Sequence, residues 1–336
     1  MGARLKAFAA VGVGMLASSC AGFTAKDFAE RVAKTGVQAG GGMVQANVES
    51  DAKCKKLDVE PGVKEEYALG GALAIEFVKR GGGLMLATDE DKKLHTYVNV
   101  VGKNLAAQSA RPTLEWNFGV LNDSEHFNAL SAPGGYVFVT RKVLQELDNE
   151  GQLAGVLAHE IAHVAGKHAI RKYNEQKVSA CKTAHTLQGG KKAVLAFPGA
   201  DALLAALDGD GTVDLDENPG LLGSLAEKTT EAVIDDGNEP GLEFEADRMA
   251  VQLMVSAGYD PDDYRRLIAK TTEATTFANH PKKADRVKKL VEYINTLKPT
   301  EGEFAALSTE GLHSPPLKQP DYGVIKSATG VAKDVK

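Results

Sequence analysis

The chain has 336 residues and a mass of 35.5 kDa, and its 43% hydrophobic and 25% charged residues are an ordinary globular balance, enough for one large domain or two small ones. Its formal net charge of −6, with no basic patch interleaved with aromatics, argues against a nucleic-acid partner. Past the amino terminus no apolar run is long enough to span a bilayer, so any membrane attachment falls to a lipid.

The amino terminus, MGARLKAFAAVGVGMLASSCAG, carries Arg4 and Lys6, an apolar run from Ala7 to Ala17, and then small residues up to Cys20. It is too short for a membrane helix and has the three-part pattern of an export signal. Leu16 to Ser19 ahead of Cys20 resemble a bacterial lipobox, although Ala17 stands three before the cysteine where such signals prefer leucine. Cleavage there makes residues 1–19 a lipoprotein signal peptide, starts the mature chain at lipidated Cys20, and takes the formal charge from −6 to −8 by removing Arg4 and Lys6. Ala21, rather than an aspartate, leans toward the outer membrane. A soluble secreted protein cleaved near Ser19 is the alternative.

Residues 20–88 read as an N-terminal helical segment, with helices near 24–35 and 60–80 and breaks at QAGGGM and RGGGLM. In an oxidising compartment Cys54 and Cys181 allow one intramolecular pairing; two separate buried thiols are the other possibility.

Next, EDKKLHTYVNVVGKNLAAQSA places Leu94, Tyr97, Val98, Val101 and Leu105 along one helical face. TLEWNFGVLND, HFNALSA and GGYVFVT then read as three strands, the first from the alternation of Leu114, Trp116 and Phe118. Strands in the middle of the chain with long helices around them imply an α+β domain.

In EGQLAGVLAHEIAHVAGKHAIRKY there is no proline, and Leu153, Leu157, Ile161, Val164 and His168 run at helical spacing, so the stretch is expected to be one helix. Residues four apart on a helix stand nearly one above the other. His159 and His163 can therefore offer two imidazole nitrogens to one tetrahedral ion, with Glu160 beside them facing a water. Read without a metal, the same residues are half-buried histidines with local hydrogen bonds.

Catalytic zinc normally has three protein ligands, so a third must come from elsewhere. NEPGLEFEADRMAVQLMVSAG, 238–258, has helical spacing through Leu242, Ala246, Met249, Leu253 and Ala257, with Pro240 near its start and Gly258 at its end. Glu243 can reach an ion from it, and Asp247, one turn on, can accept the outer ring N–H of a ligand histidine. The bland alternative is that these acids favour the first turns through the helix dipole.

Between the two helices lies an insertion, about 171–238, expected to form an acidic, turn-rich lid near the cleft. Within it ALDGDGTVDLDENPG resembles a calcium loop, but Ala206 stands at the first ligand position. The pattern fails there, and Ca2+ at 208–217 is not the expected reading. Residues 300–336 lack periodicity and read as a C-terminal tail.

The combination of HEIAH with a downstream EFEAD resembles the M48 family of zinc metallopeptidases, especially its bacterial periplasmic lipoprotein and BepA-like members, related to the mitochondrial OMA protease domain. WNFGVLNDSEHFNALSAPGGYVFVTRKVLQEL and ANHPKKADRVKKL extend the match. The resemblance implies a mainly helical, gluzincin-type domain over 89–299 with a small β-sheet beside the HExxH helix. It implies one Zn2+ per chain held by His159, His163 and Glu243, with Glu160 as general base and His280 near the metal. Asp247 and Arg286 act behind the ligands, and Asn128, Ala129, Pro133, Gly134 and Gly135 border the substrate cleft. The third strand is expected to matter because an exposed sheet edge can take an extended substrate as another strand. Similar enzymes act on unfolded or misassembled envelope proteins, which points to such substrates, to the outer-membrane assembly machinery as a partner, and to a lipid-anchored place on the periplasmic side of the envelope. The rival expectation is a periplasmic chaperone or assembly factor with the same fold and a closed cleft.

Overall fold

The computed structural model describes residues 51–188, 199–234, 236–271 and 282–297. The 24–35 helix, the signal segment 1–19 with Cys20, His280 and the tail lie outside these residues. Among the described residues no helix is long and apolar enough to cross a membrane.

A short 3-10 turn, Lys55–Leu57, leads to α1 (Val63–Arg80) and α2 (Asp89–Ala106). Thr88 starts α2 with a reciprocal cap: its hydroxyl accepts from Asp91 N at 3.1 Å, while its own N–H donates to Asp91 Oδ2 at 2.9 Å. The strands follow as β1 (Asn117–Leu121), β2 (Ala129–Ala132) and β3 (Tyr136–Thr140). Then come α3 (Arg141–Glu146), α4 (Glu150–Ala165), α5 (His168–Gln188), α6 (Ala200–Ala206), α7 (Pro219–Ile234), α8 (Pro240–Ser256), α9 (Pro261–Lys270) and α10 (Lys283–Thr296). The protein is α+β, mainly helical, with one small mixed sheet.

The sheet order is β1-β3-β2: β1 runs parallel to β3 in the register Asn117↔Tyr136, and β2 antiparallel to it in the register Ala129↔Val139. This corrects the expectation for the third strand. Tyr136–Thr140 is the central strand, hydrogen-bonded on both sides, and an edge of the sheet is β2. The parallel pair requires the chain to cross over between β1 and β3, and β2 is made on that crossover, so it folds back onto the far side of β3.

Helix α4 is apolar nearly all round and is buried from Gly151 to Val164, which makes it the central rod of the larger core. Asn149 caps it, its side chain accepting from Gln152 N at 2.9 Å. The single helix expected across 150–173 is in fact two. Gly166 caps α4, Lys167 takes a left-handed φ of 58°, and His168 begins α5 in a new direction.

A second core lies between α1, α5 and α7. Inside it Glu65 Oε1 accepts from Tyr173 Oη at 2.6 Å and from fully buried Lys177 Nζ at 2.9 Å, and its Oε2 accepts from Val213 N at 3.3 Å. Residues 199–234 of the insertion are thereby tied down rather than draped as a lid: Val213 and Leu215 are buried, and α7 packs on α1 and α5. The calcium-like carboxylates serve their own turns, Asp210 accepting from Thr212 N and Asp214 from Asp216 N and Glu217 N.

Cys54 and Cys181 form a disulfide, with Cα atoms 5.7 Å apart, across a sequence separation of 127. A loop that long strongly restricts the unfolded chain. The double variant Cys54→Ala/Cys181→Ala is expected to lose roughly 2–4 kcal/mol of unfolding free energy. Denaturant titration reads this directly, and an unchanged midpoint would contradict it.

Candidate metal centre

His159 and His163 lie one turn apart on the buried face of α4 and meet Glu243 on the first turn of α8, the helix most intimately packed on α4. The two Nε2 atoms are 3.0 Å apart. Glu243 Oε2 stands 3.5 Å from His159 Nε2, and Oε1 stands 3.3 Å from His163 Nε2. One ligand atom from each of the three residues fits within 4.8 Å, the one such group among the described residues. No corresponding group forms at 208–217.

Two imidazoles and a carboxylate, converging in a buried site, are a donor set that suits a divalent transition metal such as zinc. Without such an ion a fully buried carboxylate would face two ring nitrogens that must share protons among themselves, an arrangement with little merit as packing. Asn238 adds an orienting bond, its Nδ2 donating to Glu243 Oε1 at 2.9 Å.

Behind the donors, Asp247 is 2% exposed and serves three partners. Arg286 Nε and Nη2 donate to its two oxygens at 2.9 and 2.6 Å, Tyr264 Oη donates to Oδ1 at 2.8 Å, and Oδ1 lies 3.1 Å from His159 Nδ1. The last approach is bent, so His159 Nδ1 lacks a straight hydrogen bond. Burial alone would raise the Asp247 pKa, but the Arg286 charge and the bonds from Arg286 and His159 hold it well below the usual carboxylate range. His159 shows the mirror case: burial pulls it down, and the hydrogen bonds and charges of Asp247 and Glu243 lift it to about 9. Close packing makes this possible. A Cβ at Gly155 would fall 2.5 Å from Tyr264 Cβ, so only glycine lets α9 come near enough to α4 for Tyr264 to reach Asp247.

Glu160 faces a cavity lined also by His163, Asn128 to Pro133 of the β2 edge, and Val233 and Ile234 at the end of α7. Of the expected cleft residues, Asn128, Ala129 and Pro133 are on its wall. Gly134 and Gly135 form the turn beyond it, both at positive φ, and Gly134 N donates to Glu66 Oε1 at 3.1 Å. His280 lies outside the described residues.

Sequence reasoning passed over Tyr264, Asn238 and His168. Tyr264 carries no local signal, since its partner is on another helix. Asn238 stands ahead of α8, where an asparagine is ordinary. His168 was counted on the apolar face of α4, although it follows the break and its Nδ1 lies 2.7 Å from His163 Nδ1.

The sequence pattern described as peptidase family M48 matches residues 92–294. Among curated relatives, the chain is 29% identical over 191 residues to the beta-barrel assembly-enhancing protease of Escherichia coli (strain K12), covering 57% of this chain and 35% of that protein. Over 193 residues it is 29% identical to the protein of the same description from Yersinia pestis, with the same coverage. It is 30% identical over 207 residues to the mitochondrial metalloendopeptidase OMA1 of Schizosaccharomyces pombe (strain 972), covering 59% of this chain and 52% of the relative. The chain thus spans between about a third and a half of the length of these relatives.

The charge cluster behind the donors gives a stability test. Arg286→Met leaves the Asp247 carboxylate buried without its countercharge, and the unfolding free energy at pH 7 is expected to fall by roughly 3–5 kcal/mol. Because the folded Asp247 pKa is depressed, this contribution is present above its unfolded value near 4 and is lost as pH falls toward the folded one. The gap between wild type and variant should therefore narrow below about pH 4. Denaturant titrations across pH check both; a pH-independent gap would exclude the ionised pair as its source.

Proposed function

Because the chain belongs to peptidase family M48, we propose that it is a zinc-dependent endopeptidase of the bacterial cell envelope that cleaves misfolded or stalled envelope proteins. The observation that carries this reading is the meeting of His159, His163 and Glu243 in one buried cluster, with Glu160 open to a cavity beside the β2 edge. Zinc held there supplies a Lewis acid for the scissile carbonyl and for the attacking water.

Glu160 takes one proton from that water as the new C–O bond forms, and delivers it to the amide nitrogen as the C–N bond breaks. No covalent acyl-enzyme is needed. Asp247, backed by Arg286 and Tyr264, keeps His159 turned so that Nε2 faces the donors. An unfolded segment can add to β2 as a further strand. Its backbone then supplies most of the bonds, so recognition depends little on side-chain identity, as a quality-control enzyme requires. His280 remains a candidate by family resemblance alone.

The substrates we propose follow the bacterial relatives, whose description is that of proteases that enhance beta-barrel assembly. Two features support a place outside the cytoplasm. The Cys54–Cys181 disulfide suits an oxidising compartment, and the amino terminus has the pattern of a lipoprotein signal ending at Cys20.

Glu160→Gln keeps the size of the side chain but cannot act as a base. Cleavage of an unfolded substrate such as casein should fall about a hundredfold to ten-thousandfold while zinc stays near one per chain. His159→Ala, His163→Ala and Glu243→Ala should instead lose the metal, read by elemental analysis. Wild-type cleavage by Glu160→Gln would remove its assigned role. Wild-type protein that shields unfolded substrates without cutting them would turn the reading to an assembly factor.

The anchor is tested separately. Cys20→Ala is expected to move the protein from the membrane fraction to the soluble periplasm and to abolish labelling by a fatty-acid analogue. A wild-type protein that is soluble and unlabelled would sink the lipoprotein proposal.

A further inference from the structure

We propose that His168 is a positioning residue for the metal centre: its Nδ1 accepts the Nδ1 proton of His163 and so leaves the lone pair of His163 Nε2 for the metal. The inference rests on the reading of His163 as a metal ligand.

The two Nδ1 atoms are 2.7 Å apart, and a pair of ring nitrogens at that separation has room for one proton between them. His163 Nε2 points to Glu243 Oε1 at 3.3 Å and to His159 Nε2 at 3.0 Å, so a metal there needs this nitrogen unprotonated. The His163 proton then sits on Nδ1 and requires an acceptor. The amide of Asn238 comes within 3.4 Å of the same atom, but the group it offers is Nδ2, which also donates to Glu243 Oε1 and cannot accept a proton. Among the described residues His168 is thus the group that can accept, and its own proton goes to Nε2.

Local structure is arranged for this contact. Lys167, at φ 58°, turns the chain sharply between α4 and α5 and brings the next residue back toward His163. Gly166 has an ordinary φ of −78°, so no backbone demand explains a glycine there. A Cβ at that position would lie 2.6 Å from His168 Nε2, which means that glycine makes room for the ring. His168 is only 1% exposed, and its Nε2 is buried with no hydrogen-bond partner among the described residues. Packing alone would favour an apolar side chain at such a place, since an unpartnered buried polar atom is a net cost. The ring is retained at that cost because Nδ1 has a task.

Asparagine separates a positioning role from a merely structural one, because its Oδ1 stands about where the imidazole Nδ1 stood and can accept the same proton. Zinc affinity is measured on the full chain by competition with a chromogenic chelator. His168→Leu is expected to weaken zinc roughly tenfold to a hundredfold, the usual effect of losing an outer partner of a ligand histidine, and His168→Asn is expected to stay close to wild type. Should the leucine variant fail to fold, Gly166→Ala supplies the weakening arm, since it keeps His168 but crowds its ring. Wild-type affinity in the weakening arm, or equal weakening in the asparagine and leucine variants, overturns the proposal. His163→Ala is run alongside. If it keeps its zinc, the ligand reading itself has failed; if it loses zinc while His168→Leu does not, only the positioning role has.

Discussion

A single buried carboxylate, Asp247, sets the geometry of the centre. A charge so deep in the protein is tolerable only when it is countered and hydrogen-bonded, and each partner that satisfies it comes from a different helix. Arg286 reaches it from α10, Tyr264 from α9 and His159 from α4. To ionise one group, the fold must bring four helices to one point. Replacing such a cluster by apolar side chains could match its contribution to stability, so its value lies in orientation: the fixed side of His159 is Nδ1, and Nε2 is left facing Glu243.

The substrate side is organised by a different charge pair. Glu66 on α1 receives Arg111 through both oxygens, at 2.7 and 2.8 Å, and the same carboxylate accepts from Gly134 N in the turn that follows β2. Arg111 Nη1 also lies 3.4 Å from the carbonyl of Val164, at the end of the helix that carries both histidines. Gly70 completes the arrangement, because a Cβ there would meet Pro133 O at 1.9 Å. Helix α1 therefore sets the distance between the β2 edge and the donors on α4. Its neighbour Glu65 fastens α5 and the Val213 stretch of the insertion, so two adjacent residues of one helix hold the β2 turn and the second core.

What could be read from the sequence follows from the range of the interactions. The helical spacing of His159, Glu160 and His163, the pairing of Glu243 with Asp247, and the heptad-like face of α2 are local properties and survived folding with their boundaries shifted by only a few residues. Three strands are legible for the same reason, although Leu114 and Trp116 of the first alternation precede β1; their order is not legible, because an edge and a central strand with similar composition differ only in what pairs with them. The break at Gly166–Lys167 was hidden by continuous apolar spacing, since His168 lands at the position expected of an unbroken helix while belonging to the next one. Tyr264 could not be found at all. Its signal is shared with Gly155, more than a hundred residues away, whose missing side chain is intelligible only once α9 is seen against α4.

The insertion shows how composition misleads when a segment is judged by its surface. Asp208, Asp210, Asp214 and Glu217 give this stretch the look of an acidic, turn-rich lid, yet Val213 and Leu215 alternate with the acids and are buried, and the main-chain N–H of Val213 closes the Glu65 cluster. Acidic residues on such a stretch solvate its outer side while every second residue holds it down. The consequence for the cleft is specific. Among the described residues of the insertion, Val233 and Ile234 at the end of α7, with Gly237 and Asn238, line the same cavity as β2. In the proposed reading, a backbone laid along β2 would be held by hydrogen bonds in a cavity that also has aliphatic lining. Selection of this kind acts mainly on conformation, because a chain added to β2 must be extended, as it can be in an unfolded protein and is not in a folded one.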